Sequence, residues 1–329
     1  MLHILNGGAT ETTLERTSVP GSRFSFRDAL IDGPAPAVNG SEWRRLRVEH
    51  LAAAYGVEIE QCKNDFQRQD EVFDSFKRHD EVTLWFESDL FCQLNLLFIL
   101  DWCARNDQGD TKLSLICIGE FPGRPNFRGL GELDPDELAS LFQQRVPITQ
   151  AVLKWATQTW DAYRSGDPRN LEALLNSDND ELPFLNNALK LHLARFPSVL
   201  NGLNRIENRA LELIAAGASR FGDLFPRFVE AEPDYGLGDA QFWNSLQRLT
   251  QGSSPLLMNG HRQPQQPTNM PANPMPEVFA ITEAGAAVMN RGGDNIKVNG
   301  IDNWLGSVHL RSPANVWRWD EVSEQVVKE

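Results

Sequence analysis

Four short apolar runs mark the first third of the chain, at residues 2–5, 23–26, 82–86 and 113–118. The first, third and fourth are nearly continuous, as in parallel strands covered on both faces. Between them, residues 43–55 place apolar side chains three and four apart until Gly56 stops the pattern. Residues 90–104 are apolar almost all round, which predicts a buried helix. Strand and helix alternate in this order, so the expected fold class is α/β, with a Rossmann-like open parallel sheet over residues 1–130.

The pattern then becomes helical. Asp134-Pro135-Asp136-Glu137 opens one helix, with proline near its first position and acids in the first turn. Thr149 begins a run through Val152, Trp155, Trp160 and Tyr163; Asp167-Pro168 opens another, and a further helix covers 183–195. Aromatic and leucine residues at this spacing are core positions, and 131–200 is expected to be a helical subdomain on the sheet. Over 201–290 the order is three helices (204–216, 221–229, 239–249) and then two short strands (255–258, 277–282). Residues 259–276 between these strands are rich in Pro, Gln and Asn, the composition of a flexible loop. That order predicts a winged-helix-like part. Residues 291–329 carry Trp304, Trp317 and Trp319 and are expected to dock back as a tail.

Length and charge sharpen this picture. With ~150 residues per domain as a prior, 329 residues correspond to about two domains. The 31 basic and 45 acidic residues leave a formal charge of −14, which lacks the positive field of a general nucleic-acid or membrane-surface binder. The charge balance extends into the one segment whose shape suggests DNA binding. Residues 201–250 hold five basic and seven acidic side chains, a net of −2. Gln241, Asn244, Gln247 and Arg248 on its third helix have base-reading chemistry but little phosphate-neutralising charge beside them. A DNA partner is therefore disfavoured. The first residues show no basic leader, and residues 90–102 are broken by Gln93, Asn95 and Asp101, so no membrane partner is expected. Cys62, Cys92, Cys103 and Cys117 form no C-x-x-C pair. A cytoplasmic protein with reduced thiols and no metal site is the expectation.

Candidate chemistry follows from what succeeds each strand. Asn6-Gly7-Gly8 follows the first run, Arg27-Asp28 the second, Glu87-Ser88-Asp89 the third and Gly119-Glu120 the fourth. In open α/β sheets ligands bind outside the carboxyl ends of the strands, so these polar residues converge on one edge. The Asn6-Gly7-Gly8 turn before a helix offers backbone N–H groups to an anion. It has neither a full G-x-G-x-x-G pattern nor a P-loop lysine. Glu87 and Asp89 are the candidate catalytic carboxylates. Asp89 is also placed to cap the helix that follows, and Arg27 to pair with Glu87. Gln93 falls one turn into that helix and should lie near the same edge. Arg27, Arg124 and Arg128 are candidate anion clamps. His3 is expected to be a hydrogen-bonded core histidine, and His309 fits either core or site.

Three N-terminal pieces carry a resemblance: Leu2-His3-Ile4-Leu5-Asn6-Gly7, Trp85-Phe86-Glu87-Ser88-Asp89-Leu90-Phe91-Cys92-Gln93-Leu94-Asn95 and Phe127-Arg128-Gly129-Leu130-Gly131. Together with Asn299-Gly300-Ile301-Asp302-Asn303-Trp304-Leu305-Gly306 and Trp317-Arg318-Trp319-Asp320, they resemble the bacterial family called domain of unknown function 1835. Asn6, Gly7, Glu87, Asp89 and Gln93 match its pattern. The chain departs from that pattern at Gly8, where an Asp is frequent, and at Ser88 and Cys92, where His and Asp are frequent. The resemblance implies no established activity.

The reading that fits these features is a protein binding a small phosphorylated or nucleotide-like ligand through Asn6, Gly7, Gly8, Arg27, Gln93, Glu120 and Arg128. Transfer or hydrolysis at a sugar or phosphate is the chemistry expected of Glu87 and Asp89, because no redox fingerprint or nucleophile elbow is present. The alternatives are a winged-helix regulator with a ligand-sensing N-terminal part, and a scaffold whose strand-end carboxylates are all satisfied by salt bridges.

Overall fold

The computed structural model describes residues 1–38, 40–175, 181–260, 269–314 and 316–329. It is a mixed α/β protein built on a five-stranded, mostly parallel sheet. The parallel strands β1 (Leu2–Asn6) and β2 (Ser22–Phe26) form one pair, and β3 (Gly33–Pro34) lies outside this sheet. Strands β4 (Glu81–Glu87) and β5 (Lys112–Ile118) complete the parallel order β2-β1-β4-β5. The two-residue β6 (Val146–Pro147) adds an antiparallel edge that no apolar run announced. After β2 the chain crosses back past β1 to form β4. The strand order thus turns between β1 and β4, and their carboxyl ends carry Asn6 and Glu87.

Alternation within the strands covers both faces. Ile4, Leu84 and Leu115 belong to the main core, whereas Leu5, Trp85 and Ile116 face a smaller one. Helices α1 (Gly8–Leu14), α2 (Gly40–Tyr55), α3 (Ile59–Asp74), α4 (Leu90–Arg105), α5 (Pro135–Phe142) and α6 (Gln150–Tyr163) surround the sheet. Leu14 of α1 and Leu138 of α5 join the smaller core, while α4 and α6 pack together in the main one. As the apolar pattern predicts, α4 is buried on nearly every side.

Helix starts follow the capping chemistry seen in the sequence. Asp89 accepts from the Cys92 amide, Asp134 and Glu137 form a capping box, and Thr149 accepts from Val152. Two helices differ from expectation. α3 was missed because it is polar overall, with only a stripe of Cys62, Phe66, Gln69 and Phe73 turned inward. The helix after Asp167-Pro168 is only the single turn α7 (Arg169–Glu172).

The chain continues through α8 (Leu185–Leu193), α9 (Arg205–Ala215), α10 (Phe221–Ala231) and α11 (Asp239–Leu249). The antiparallel pair β7 (Leu257–Asn259) and β8 (Phe279–Ile281) follows, and Arg220 bridges to Val278 beside it. Of the expected loop at 259–276, residues 261–268 lie outside the described residues. α11 does not present its polar face to solvent. Asn244 Nδ2 donates to the Ala54 carbonyl (2.9 Å), Gln241 Nε2 donates to Tyr55 Oη (3.0 Å), and Gln247 is buried. The helix is docked on the C-terminal end of α2.

Beyond α12 (Glu283–Met289) and α13 (Asn295–Asn299), β9 (Asp302–Gly306) pairs with β10 (Val308–Arg311) and, in parallel, with β3. The hairpin of β11 (Trp317–Asp320) and β12 (Gln325–Lys328) is held to the body where Trp319 N–H donates to the Pro197 carbonyl. One hydrophobic cluster runs from Leu2 to Val326 through all of these parts.

A buried polar hub lies where β2 leads into β3. Arg47 is fully buried and ion-paired with Asp28, and it also donates to the carbonyls of Ala29, Asp32 and Pro34. Tyr55 donates to Asp32 (2.7 Å), and Tyr163 donates to the Leu30 carbonyl (2.7 Å). Gly33 has a φ of +77° and sits against the His50 ring, where any side chain would collide. Among the described residues no helix is long and apolar enough to cross a membrane.

Candidate functional site

The carboxyl ends of β1 and β4 bring Asn6, Glu87, Asp89 and Cys92 together. Glu87 ends β4, Asp89 caps α4, and Cys92 lies one turn inside that helix, so a short stretch of chain supplies three of the four. Cys92 Sγ donates to Glu87 Oε2 (2.8 Å), and the Leu130 amide donates to Glu87 Oε1 (3.0 Å). Asn6 Nδ2 donates to Cys92 Sγ (2.8 Å), and Asn95 Nδ2 donates to Asn6 Oδ1 (2.8 Å). This chain of side chains fixes the thiol and aims its proton at Glu87.

No lysine or arginine among the described residues pairs with Glu87 or Asp89. Burial, with Asp89 beside it, pushes the Glu87 carboxyl up to about 7. Burial also raises Asp89, against the hydrogen bonds that Cys92 gives it. The Cys92 thiol is held well above its ordinary range by burial and by both carboxylates. A carboxyl that titrates near neutrality suits proton transfer, whereas a thiol so disfavoured as thiolate does not act as a free nucleophile. Donor atoms of Glu87, Asp89 and Cys92 lie within 4.8 Å of one another, a mixed oxygen and sulfur set able to hold a divalent cation.

These groups open onto a cavity of ≈350 Å³. Phe91, Phe127 and Phe228 line it, with Arg128 and Asp234 among its polar residues. One wall comes from far along the chain. Residues between Phe228 and Leu237, at the end of α10 and in the turn after it, close over the sheet edge. Gly236 has a φ of +63°, and a Cβ there would overlap Asp89 Oδ1. Gly236→Ala should therefore destabilise the protein by more than the ~1–2 kcal/mol of a left-handed backbone. Gly123, with a φ of +81° and open space where a Cβ would stand, supplies the control. Urea denaturation of Gly236→Ala and Gly123→Ala should show the larger loss at 236; equal losses would deny the close approach to Asp89.

The other candidates divide. Arg128 is exposed and lines the cavity beside Glu87. Asn6 lines it too, with its amide engaged on both sides by Cys92 and Asn95. Gln93 is buried behind the site, donating to the Glu87 carbonyl (2.8 Å) and to Cys117 Sγ (3.3 Å). Arg27 does not pair with Glu87. It is exposed and lines a second cavity of ≈250 Å³ at the end of β2. Phe91 is a wall of both cavities. Gly7 has a φ of +100°, precedes the seven-residue α1, whose first turn holds the Glu11 carboxylate, and lines neither cavity. Gly8 and Glu120 line neither cavity. Arg124 pairs with Glu137 (2.6 Å). His3 is a core histidine as expected, accepting from Trp85 Nε1 at 3.1 Å. His309 is half-buried, hydrogen-bonded to Asp302 (2.6 Å) and stacked on Trp304.

Sequence reasoning missed Cys92, Asn95, Phe91 and Gly236. Asn95 had a signal: it is a carboxamide in a helix otherwise apolar on nearly every face, and it is fully buried. Gly236 had none, since its requirement arises from a contact 147 positions away in the chain.

Fold and site together describe a mixed α/β protein with two small-molecule-sized cavities at the carboxyl edge of its sheet. No family model matches the chain, and no curated protein matches it.

Proposed function

We propose that this protein binds a small nucleotide-like or phosphorylated ligand at the carboxyl edge of a Rossmann-like sheet. Glu87 moves a proton on that ligand in a transfer or hydrolysis reaction. The observation that carries the reading is the Glu87–Asp89 carboxylate pair at the turn in strand order, Glu87 buried and Asp89 half-buried, with no lysine or arginine among the described residues ion-paired to either and with Glu87 titrating near neutrality. Glu87 and Asp89 face hydroxyl or amine groups of the ligand, because two carboxylates repel phosphate. A phosphate belongs beside Arg128 or across Phe91 beside Arg27.

The winged-helix-like order of α9–α11 with β7 and β8 supports a regulator as the second reading. Against it, the third helix is packed on α2 and the segment is acidic, so we take this part as packing scaffold and cavity wall. A sequence-preferring complex with a steep salt dependence in gel shifts would reverse that order.

A thermal-shift panel of nucleosides, nucleotides and sugar phosphates, with and without Mg²⁺, tests the main reading. At least one class should raise the melting temperature, and the shift should fall in Glu87→Gln and Asp89→Asn. Asparagine preserves the helix cap, so the second variant separates ligand contact from folding. No shift with any class, or undiminished shifts in both variants, would overturn it.

A further inference from the structure

The cavity at the end of β2 is walled by aromatic side chains: Phe24 of β2, Tyr55 of α2, Phe66 of α3 and Phe91 of α4. Pockets that enclose a whole small ligand run to about 300–1,000 Å³. At ≈250 Å³ this one has room for a single ring system, and four aromatic walls offer faces and edges to a flat guest.

Polar side chains share this lining: Glu11 accepts from Ser25, Asp28 from Arg47 and Asp65 from Gln61, and Gln69 differs from them. Gln69 occupies the inward stripe of α3 between Phe66 and Phe73 and is 6% exposed. It lines the cavity, and its carboxamide makes no hydrogen bond to any described residue. Gln241, on the same cavity, is by contrast satisfied on both sides, donating to Tyr55 Oη and accepting from the Gly238 amide (3.0 Å each). The polar end of Gln69 is turned to the cavity rather than sealed in the core, whereas a leucine at 69 would complete the stripe. A carboxamide presents a donor and an acceptor side by side, which complements the hydrogen-bonding edge of a nucleobase. At the mouth, Arg27 and Arg68 are exposed and neither pairs with a described carboxylate; the Arg68 guanidinium lies 6.0 Å from the Phe24 ring centroid.

We propose that this cavity holds a heteroaromatic ring, a nucleobase, with Gln69 pairing the ring edge and Arg27 and Arg68 receiving a phosphate on the same ligand. The assignment rests on the reading of the Glu87 site above, because Phe91 joins the two cavities and the sugar end of the ligand passes it to reach Glu87.

The test measures binding of adenosine, guanosine, cytidine and uridine, their 5′-monophosphates, and ribose 5-phosphate to the full chain by calorimetry. At least one nucleoside monophosphate should bind tenfold or more tightly than ribose 5-phosphate. Gln69→Leu should erase that preference while leaving ribose 5-phosphate binding and the melting temperature undiminished. Arg68→Ala should weaken the monophosphate and leave its nucleoside unchanged. Ribose 5-phosphate binding as tightly as every nucleotide, or a preference that survives Gln69→Leu, would overturn the ring site and leave the Glu87 reading standing. No binding by any of these probes would overturn both.

Discussion

Arg47→Met is expected to destabilise the protein by about 3–5 kcal/mol, the range for removing one partner of a buried ion pair. Arg47 and Asp28 are 0% and 1% exposed, so water cannot replace the lost charge. Arg47 Nε also donates to Asp28 Oδ1 (3.2 Å), and the remaining donors serve the carbonyls of Ala29, Asp32 and Pro34. Removing the fork leaves a buried carboxylate and three carbonyls without this donor. Lysine cannot reproduce four directions with one ammonium group, so Arg47→Lys should also be damaging. Adding Asp28→Asn to Arg47→Met should recover part of the loss by removing the stranded charge. Urea denaturation of the two single variants and the double variant measures this. A loss below about 1 kcal/mol in Arg47→Met would show that the hub is solvated in solution.

The second large effect concerns Glu87 and pH. Burial holds the Glu87 proton to about pH 7, against an ordinary value of 4.5. Between those values the folded protein binds more protons than the unfolded chain, so this group's contribution to stability falls as pH rises. At 1.36 kcal/mol per pH unit, the wild type should lose about 3 kcal/mol from this source between pH 4.5 and 8. Glu87→Gln lacks the titration. Its amide oxygen keeps the Leu130 N–H, and its NH₂ faces Cys92 Sγ. The variant should match the wild type near pH 4.5 and exceed it by about 3 kcal/mol at pH 8. Because Asp89 also rises on burial, the two carboxylates titrate as a pair, and the midpoint belongs to both. A difference between the proteins that stays constant with pH would show that folding does not raise the Glu87 pKa.

Much of the sheet was legible because its signals are local. The four apolar runs are the four parallel strands to within one residue at each end, and Asp89, Asp134 and Thr149 open the helices placed after them. α3 was not legible, because a stripe of four inward positions in sixteen residues leaves no apolar run. For the same reason Gln69 went unnoticed: a polar residue on a stripe is conspicuous only once the stripe is known. In the site, Glu87 and Asp89 follow from their place after a buried strand. The separation of Arg27 from Glu87 does not. β2 and β4 lie on opposite sides of β1, so their ends open onto different cavities, and strand order is a long-range property. The docking of α11 was equally hidden, since Gln241 and Asn244 offer the same chemistry to a base edge as to Tyr55 and the Ala54 carbonyl.

Phe91 lines both chambers. If both chambers take guests as proposed, a shift of this ring by one guest alters the shape met by the other, and the two affinities are thermodynamically linked. That linkage is symmetrical: the factor by which a ring-sized molecule changes affinity for a sugar phosphate equals the factor by which the sugar phosphate changes affinity for the ring. Fragments of one ligand, added separately, would therefore show cooperativity, and shortening Phe91 to alanine would make each fragment indifferent to the other.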